Sequence, residues 1–200
     1  MAIKNDREYR SFFDIKAREK EDGSYIVEGY ATTLDDPYVL WKDGDVEVKE
    51  QIARTAFDDA DMSDVIFLYN HEGMVYARQK NGTLALDVDE RGLKVTADLG
   101  SIASSRELYE AIQSGLVDQM SWAFTVKEEA YDKEQRLRTI TKVDKVYDVS
   151  AVSIPANPAT SISARDYFNG VIEVERAERL RAEERERARK KIHIKLKMEA

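Results

Sequence analysis

Two long alternating stretches, Gln119–Glu128 and Leu137–Ile154, constrain this chain more than any other feature. Successive side chains on a strand point to opposite faces, so a period of two sorts residues between the two sides of a sheet. In QMSWAFTV, Met120, Trp122, Phe124 and Val126 fall on one face, and Ser121, Ala123 and Thr125 on the other. A charged tip separates the two stretches, and together they predict a long hairpin with one bulky, core-facing side. The P-A-N-P-A-T run at Pro155–Thr160 stops it, because proline has no N–H to give to a ladder.

The rest of residues 1–172 reads the same way. Ser24–Thr33 alternates, with Gly29 as a bulge or a point of close backbone approach. A loop rich in Asp, Pro and Gly (Leu34–Asp45) leads to a short strand, Val46–Lys49. Thr55 and Asp58 form a capping-box-like T-A-F-D that predicts a short helix near 55–62. Val65–His71 is an apolar strand ending in polar residues, and Leu84–Leu99 is a hairpin turning at E-R-G. Ser104–Ser114 has the helix signature: S-x-x-E at Ser104 and Glu107, an apolar stripe of Leu108, Ala111 and Ile112, and Gly115 past the end. The expected class is α+β, mainly β. From Glu173 to Ala200 the composition changes to ERAERLRAEERERARKK and beyond, a charged tail, helical or disordered, set apart from the domain over 1–172.

With 42% hydrophobic residues the chain can build a core, and with no cysteine it has no disulfide, thiolate nucleophile or Cys-ligated metal. The opening MAIKNDREYR is polar and no apolar run reaches about 18 residues, so neither a signal peptide nor a membrane span is expected. The net charge of −8 comes from the body, while the tail carries a small excess of Lys and Arg. An acidic body lacks the basic face that phosphate neutralisation requires, so nucleic acid is not an expected partner.

Three residues are able to carry chemistry, and each has a plainer reading. His71 ends an apolar strand in phase with Val65, Phe67 and Tyr69, at the rim of a core. It is either a partly buried, satisfied histidine or a general base, and His193, the other histidine, lies in the charged tail. Ser121 is either an ordinary strand serine or a hydroxyl with small neighbours that leave room for a substrate, needing a base to become nucleophilic. Asp148 shares a face with Val146, Ser150, Val152 and Ile154. Such a half-buried carboxylate either pairs with an arginine or backbone donor, or orients an imidazole.

In order along the chain, E-G-Y-A (28–31), Y-N-H (69–71), S-G (114–115) closing a capped helix, M-S-W-A-F (120–124) and D-V-S-A-V-S-I-P-A-N-P (148–158) resemble the prohead protease family of tailed phages, over about residues 10–165. The resemblance implies the herpesvirus assemblin fold, a β-barrel with surrounding helices. It also implies a serine endopeptidase in which Ser121 is the nucleophile, His71 the general base and Asp148 the orienting acid. By the same resemblance the substrates are scaffold, major capsid protein and the chain itself, inside the assembling procapsid in the host cytoplasm, with removal of the tail and a homodimer as further expectations. Two departures stand out. The family often has glycine where this chain has Ala123, and no arginine follows Asp148 until Arg165, so oxyanion donors would be backbone amides.

The competing reading is a non-enzymatic capsid-assembly module, which Ala123 would favour by closing the cleft. No cofactor and no metal are expected. One body histidine without cysteine is a poor ligand set, and Asp35-Asp36 and Asp43-Gly44-Asp45 lack EF-hand spacing and read as turn residues. Asn81-Gly82-Thr83 is a formal glycosylation sequon in a chain with no sign of secretion. There is no G-x-S-x-G elbow, no H-E-x-x-H and no P-loop.

Overall fold

A computed structural model describes residues 7–12, 14–43 and 46–154, and in the C-terminal region 170, 173–174, 177–178 and 180–190. The chain divides into two compact units, Met1–Ser161 and Ile162–Ala200. The described residues of the second unit are helical and exposed. Pro155–Thr160 and His193 lie outside the described residues. Among those described, no helix is long and apolar enough to cross a membrane.

The first unit consists of strands β1 (Glu8–Phe12), β2 (Ile15–Glu19), β3 (Tyr25–Thr33), β4 (Tyr38–Asp43), β5 (Val46–Ile52), β6 (Ile66–Tyr69), β7 (Glu72–Arg78), β8 (Leu84–Val88), β9 (Gly92–Gly100), β10 (Gln119–Asp132) and β11 (Leu137–Val152), with helix α1 (Ala103–Gln113) between β9 and β10. It is mainly β, as the alternating patterns required. The long hairpin β10–β11 forms with an antiparallel register running from Gln119 opposite Val152 to Asp132 opposite Leu137. The hairpin β8–β9 likewise turns at the expected place.

The pairing does not close into the expected barrel. The described strands build a seven-stranded sheet and a four-stranded sheet ordered β2-β3-β9-β8. In the larger sheet β1, β10, β11, β5 and β4 are consecutive neighbours, and β6, carrying β7, branches from β11. The reason lies in β11, whose outer edge is shared. Leu137–Ile140 pairs with β5 and Asp148–Ala151 with β6, both parallel. Between them the Val143 N–H bonds the Ala56 carbonyl and the Val146 N–H bonds the Asp61 carbonyl. A strand that distributes its edge among several partners forks a sheet instead of closing a ring. The surrounding helices of the expectation are reduced to α1 and one 3₁₀ turn at Gln79–Asn81 among the described residues of this unit.

The same hydrogen bond overturns the helix expected near 55–62. Residues 54–59 form successive turns with the i→i+3 bonds Ala56 to Ala53 and Ala60 to Phe57. The Ala56 carbonyl serves β11, so it is not free to continue a helix, while Ala56 and Phe57 insert into the core. α1 forms as expected, burying Leu108 and Ile112. Its N-cap is Ile102, with no side-chain cap, so the Ser104/Glu107 box is not used. Instead the Ser105 hydroxyl donates to the Leu99 carbonyl at 2.6 Å, tying the helix to β9. Gly115 takes a left-handed φ of 73° just past the helix end, the conformation that stops a helix at least cost in glycine.

Gly29 is a point of close approach. A Cβ there would lie 2.0 Å from the Asp14 carbonyl oxygen, so only glycine lets the chain before β2 pass over β3. The core between the sheets includes Val27, Phe67, Val95, Met120, Trp122, Phe124 and Val149, all buried. Trp122 stacks on Phe124 with centroids 3.7 Å apart and meets Phe57 at 5.4 Å.

The first strand, β1, is held by buried charge. Arg10 donates to both Glu50 carboxylate oxygens, and Arg138 donates to Glu8, Glu50 and Glu129. Burial alone would push the Glu50 carboxyl up, but the Arg10 and Arg138 guanidiniums beside it overcome that and hold it at about 2. Glu8 is held below the usual carboxylate range in the same way: burial opposes, and Arg138 and Arg10 prevail. The network spans β1, β5, β10 and β11, with the Tyr38 hydroxyl of β4 also donating to Glu50.

Candidate active site

On the sheet face opposite Trp122, two cross-strand rows run over β1, β10 and β11. Ser11 is opposite Ser121, which is opposite Ser150, and Tyr9 is opposite Ala123, which is opposite Asp148. Directly paired residues project from the same face of an antiparallel sheet. The spacing D-V-S therefore brings Asp148 and Ser150 to the side of the sheet that carries Ser121.

His71 reaches this face from a turn, not from a strand end. β6 stops at Tyr69, and Asn70 and His71 form the two-residue connection to β7, with Tyr69 paired to Glu72. Both have positive φ, 52° and 60°, the pattern of a type I′ hairpin turn. Asparagine tolerates that region through local hydrogen bonding, whereas histidine adopts it at some cost. Parallel pairing of β6 with β11 (Phe67 opposite Val149, Leu68 opposite Ser150) carries the turn to the end of β11, and the Asn70 N–H bonds the Ala151 carbonyl there.

The result is a linear series. The His71 Nε2 lies 2.8 Å from the Ser121 Oγ, and its Nδ1 lies 2.6 Å from the Asp148 Oδ1. A carboxylate can only accept, so the imidazole proton belongs on Nδ1, leaving the Nε2 lone pair to accept from the Ser121 hydroxyl. The Tyr9 ring meets the imidazole edge-on, with centroids 4.7 Å apart at 73°. Ser121 and Ser150 are fully buried and Asp148 is 4% exposed, while the His71 side chain keeps 15%. The imidazole thus forms the open side of the site.

All three residues singled out in the sequence meet in one hydrogen-bonded series. Sequence reasoning missed Ser150, Asn70 and Tyr9. Ser150 had a visible signal, its place two residues after Asp148 on a strand. Tyr9 had none, because nothing local in its segment pairs it with a strand beyond the middle of the chain. Ala123 occupies the slot between Tyr9 and Asp148 and is itself fully buried.

A hydroxyl, an imidazole and a carboxylate in this order, on a rigid β scaffold, are the parts of a serine-hydrolase site. Consistent with this class, the family model described as caudovirus prohead serine protease matches residues 12–170. The chain belongs to that family. It is 28% identical over 166 residues to the prohead protease of Enterobacteria phage HK97, covering 80% of this chain and 69% of that one. Among solved structures it resembles the bacteriophage T4 capsid assembly protease, gp21, with a TM-score of 0.40 and 10% identity, over 76% of this chain and all of that one.

Proposed function

We propose that this chain is a serine endopeptidase of procapsid maturation in which Ser121, His71 and Asp148 act together. The proposed substrates are the capsid or scaffold protein and the chain itself. The observation that carries the reading is His71 bridging Ser121 and Asp148 through its two ring nitrogens. As Ser121 Oγ bonds the scissile carbonyl carbon, its proton passes to His71 Nε2. The imidazolium is then held by Asp148 and returns the proton to the departing amine as the C–N bond breaks. Water, activated by the same nitrogen, cleaves the acyl ester. Such charge-assisted hydrogen bonds are each worth about 1.5–3 kcal/mol.

The proposed domain limits are a protease domain to residue 172 and a charged tail beyond it, and the tail is a proposed target of self-cleavage. Incubating the full chain and weighing it over time tests the reading. Loss of terminal peptides is expected, along with none from Ser121→Ala or His71→Ala at unchanged circular dichroism. Undiminished processing by Ser121→Ala overturns it.

A second reading, a non-enzymatic assembly module on the same fold, draws on the complete burial of Ser121, since a serine no solvent touches needs an opening step before a peptide arrives. Labelling of Ser121 by a fluorophosphonate separates the two. Reaction at Ser121 alone supports the enzyme, and an inert Ser121 with intact capsid binding supports the module.

A further inference from the structure

Ser150 is not one of the three residues of that series, yet its side chain contacts two of them. Its hydroxyl donates to the Asp148 Oδ1 at 2.9 Å and lies 3.2 Å from the His71 Nδ1, and it is fully buried. The same Asp148 oxygen accepts from His71. Three groups therefore close a ring: Nδ1–H to Oδ1, Oγ–H to Oδ1, and a Ser150 lone pair toward Nδ1–H. Ser150 also stands directly across the strand pair from Ser121, so two serines face the two nitrogens of one imidazole.

We propose that Ser150 is a positioning residue that holds the Asp148 carboxylate, and through it the His71 ring, in place by committing its own proton to Asp148. The inference rests on the proposed role of His71 as base. In the other tautomer, Nδ1 would present a lone pair to Asp148 at 2.6 Å, which is repulsive unless a donor intervenes. Asp148 therefore sets the tautomer, and Ser150, 3.2 Å from Nδ1, gives its proton to that carboxylate and not to the ring. Loss of the hydroxyl would cost the buried carboxylate one of its hydrogen bonds and leave it, and the ring it holds, free to turn away from Ser121. When the ring takes the Ser121 proton, the Ser150 oxygen shares the Nδ1–H with Asp148, and the ring turns less.

Two measurements on the full chain test this. The first is ¹⁵N NMR of labelled histidine, with His193→Gln identifying the His71 signals. Wild type is expected to show Nδ1–H alone, and Ser150→Ala the same tautomer with faster exchange of that proton. The second is the rate of Ser121 labelling by an alkyl fluorophosphonate, separated into probe affinity and maximal rate. Ser150→Ala is expected to lower the maximal rate about 10–100-fold with unchanged affinity, and Ser150→Thr to restore it. Should Ser150→Ala fail to fold, Ser150→Cys, close in size and a far weaker donor, takes its place with the same expected losses. A Ser150→Ala (or Cys) protein with wild-type exchange of the Nδ1 proton and wild-type labelling overturns the proposal. If wild type is not labelled at all, the protease reading fails, while the ring signals still decide the role of Ser150.

Discussion

Asn70 and Ser153 are joined by three hydrogen bonds: the Ser153 backbone N–H donates to the Asn70 Oδ1 at 3.0 Å, the Asn70 Nδ2 donates to the Ser153 Oγ at 3.2 Å, and the Ser153 hydroxyl donates to the Asn70 Oδ1 at 3.3 Å. Asn70 itself sits in the left-handed region that the turn before His71 demands. One side chain thus fixes both the shape of the turn and its attachment beyond the end of β11. Asn70→Gly keeps the shape and loses the attachment, whereas Asn70→Ala loses both. Urea unfolding is expected to show Asn70→Ala less stable than wild type by about 1–3 kcal/mol, with Asn70→Gly between them. The proposed proteolysis should fall in the same order.

Asp148→Asn tests the orientation of the ring. The amide keeps the size of the side chain but offers Nδ1 a donor as readily as an acceptor, which favours the tautomer that cannot take the Ser121 proton. Fluorophosphonate labelling of Ser121 is expected to slow on the order of 10³–10⁴-fold with the melting curve nearly unchanged. Labelling at the wild-type rate would remove Asp148 from the proposed series.

The buried charges on β1 predict an acid-labile fold. Glu50 is held at about 2, below its ordinary value of 4.5, and Glu8 is also lowered. For a depressed carboxyl the stabilisation is complete above the ordinary value and is lost as pH falls through the folded one. Urea midpoints should therefore be flat above about pH 5 and decline between about pH 4.5 and 2. Glu50→Gln should be less stable at neutral pH and show a shallower decline. Arg138→Met, which leaves Glu8 and Glu50 short of positive partners, is expected to cost about 3–5 kcal/mol.

Gly29→Ala is expected to destabilise by about 1–3 kcal/mol, the range for forcing atoms into an already filled space. Its Cβ would meet the Asp14 carbonyl oxygen at 2.0 Å, so the chain entering β2 must move away from β3. Amide exchange should rise first in β2 and β3.

Residue pattern alone made the long hairpin legible, because Trp122 and Phe124 on one face and Ser121 on the other need only a period of two. The three site residues were legible as a set through their order along the chain, and the pairings of Ser121 with Ser150 and of Asp148 with Ile66 supply the geometry that brings them together. What stayed hidden was non-local. Tyr38–Asp43 lies in a stretch that reads as loop, yet it forms a strand because β5 offers it an edge. Glu8–Phe12 carries charges at alternate positions that face the core, where Glu50 and Arg138 from distant segments satisfy them. His71 reads as a strand end because a type I′ turn without glycine has little signature of its own.

The row Ser11–Ser121–Ser150 joins a strand from the start of the unit to two from its far end. Contacts so distant in sequence form late, after most loop entropy has been spent. Under the proposed mechanism, a partly synthesised or partly folded chain therefore holds Ser121 without the His71 that β6 brings to it through its pairing with β11. On that reading the completed sheet works as its own safety catch, and the proposed protease is armed only once the sheet is complete.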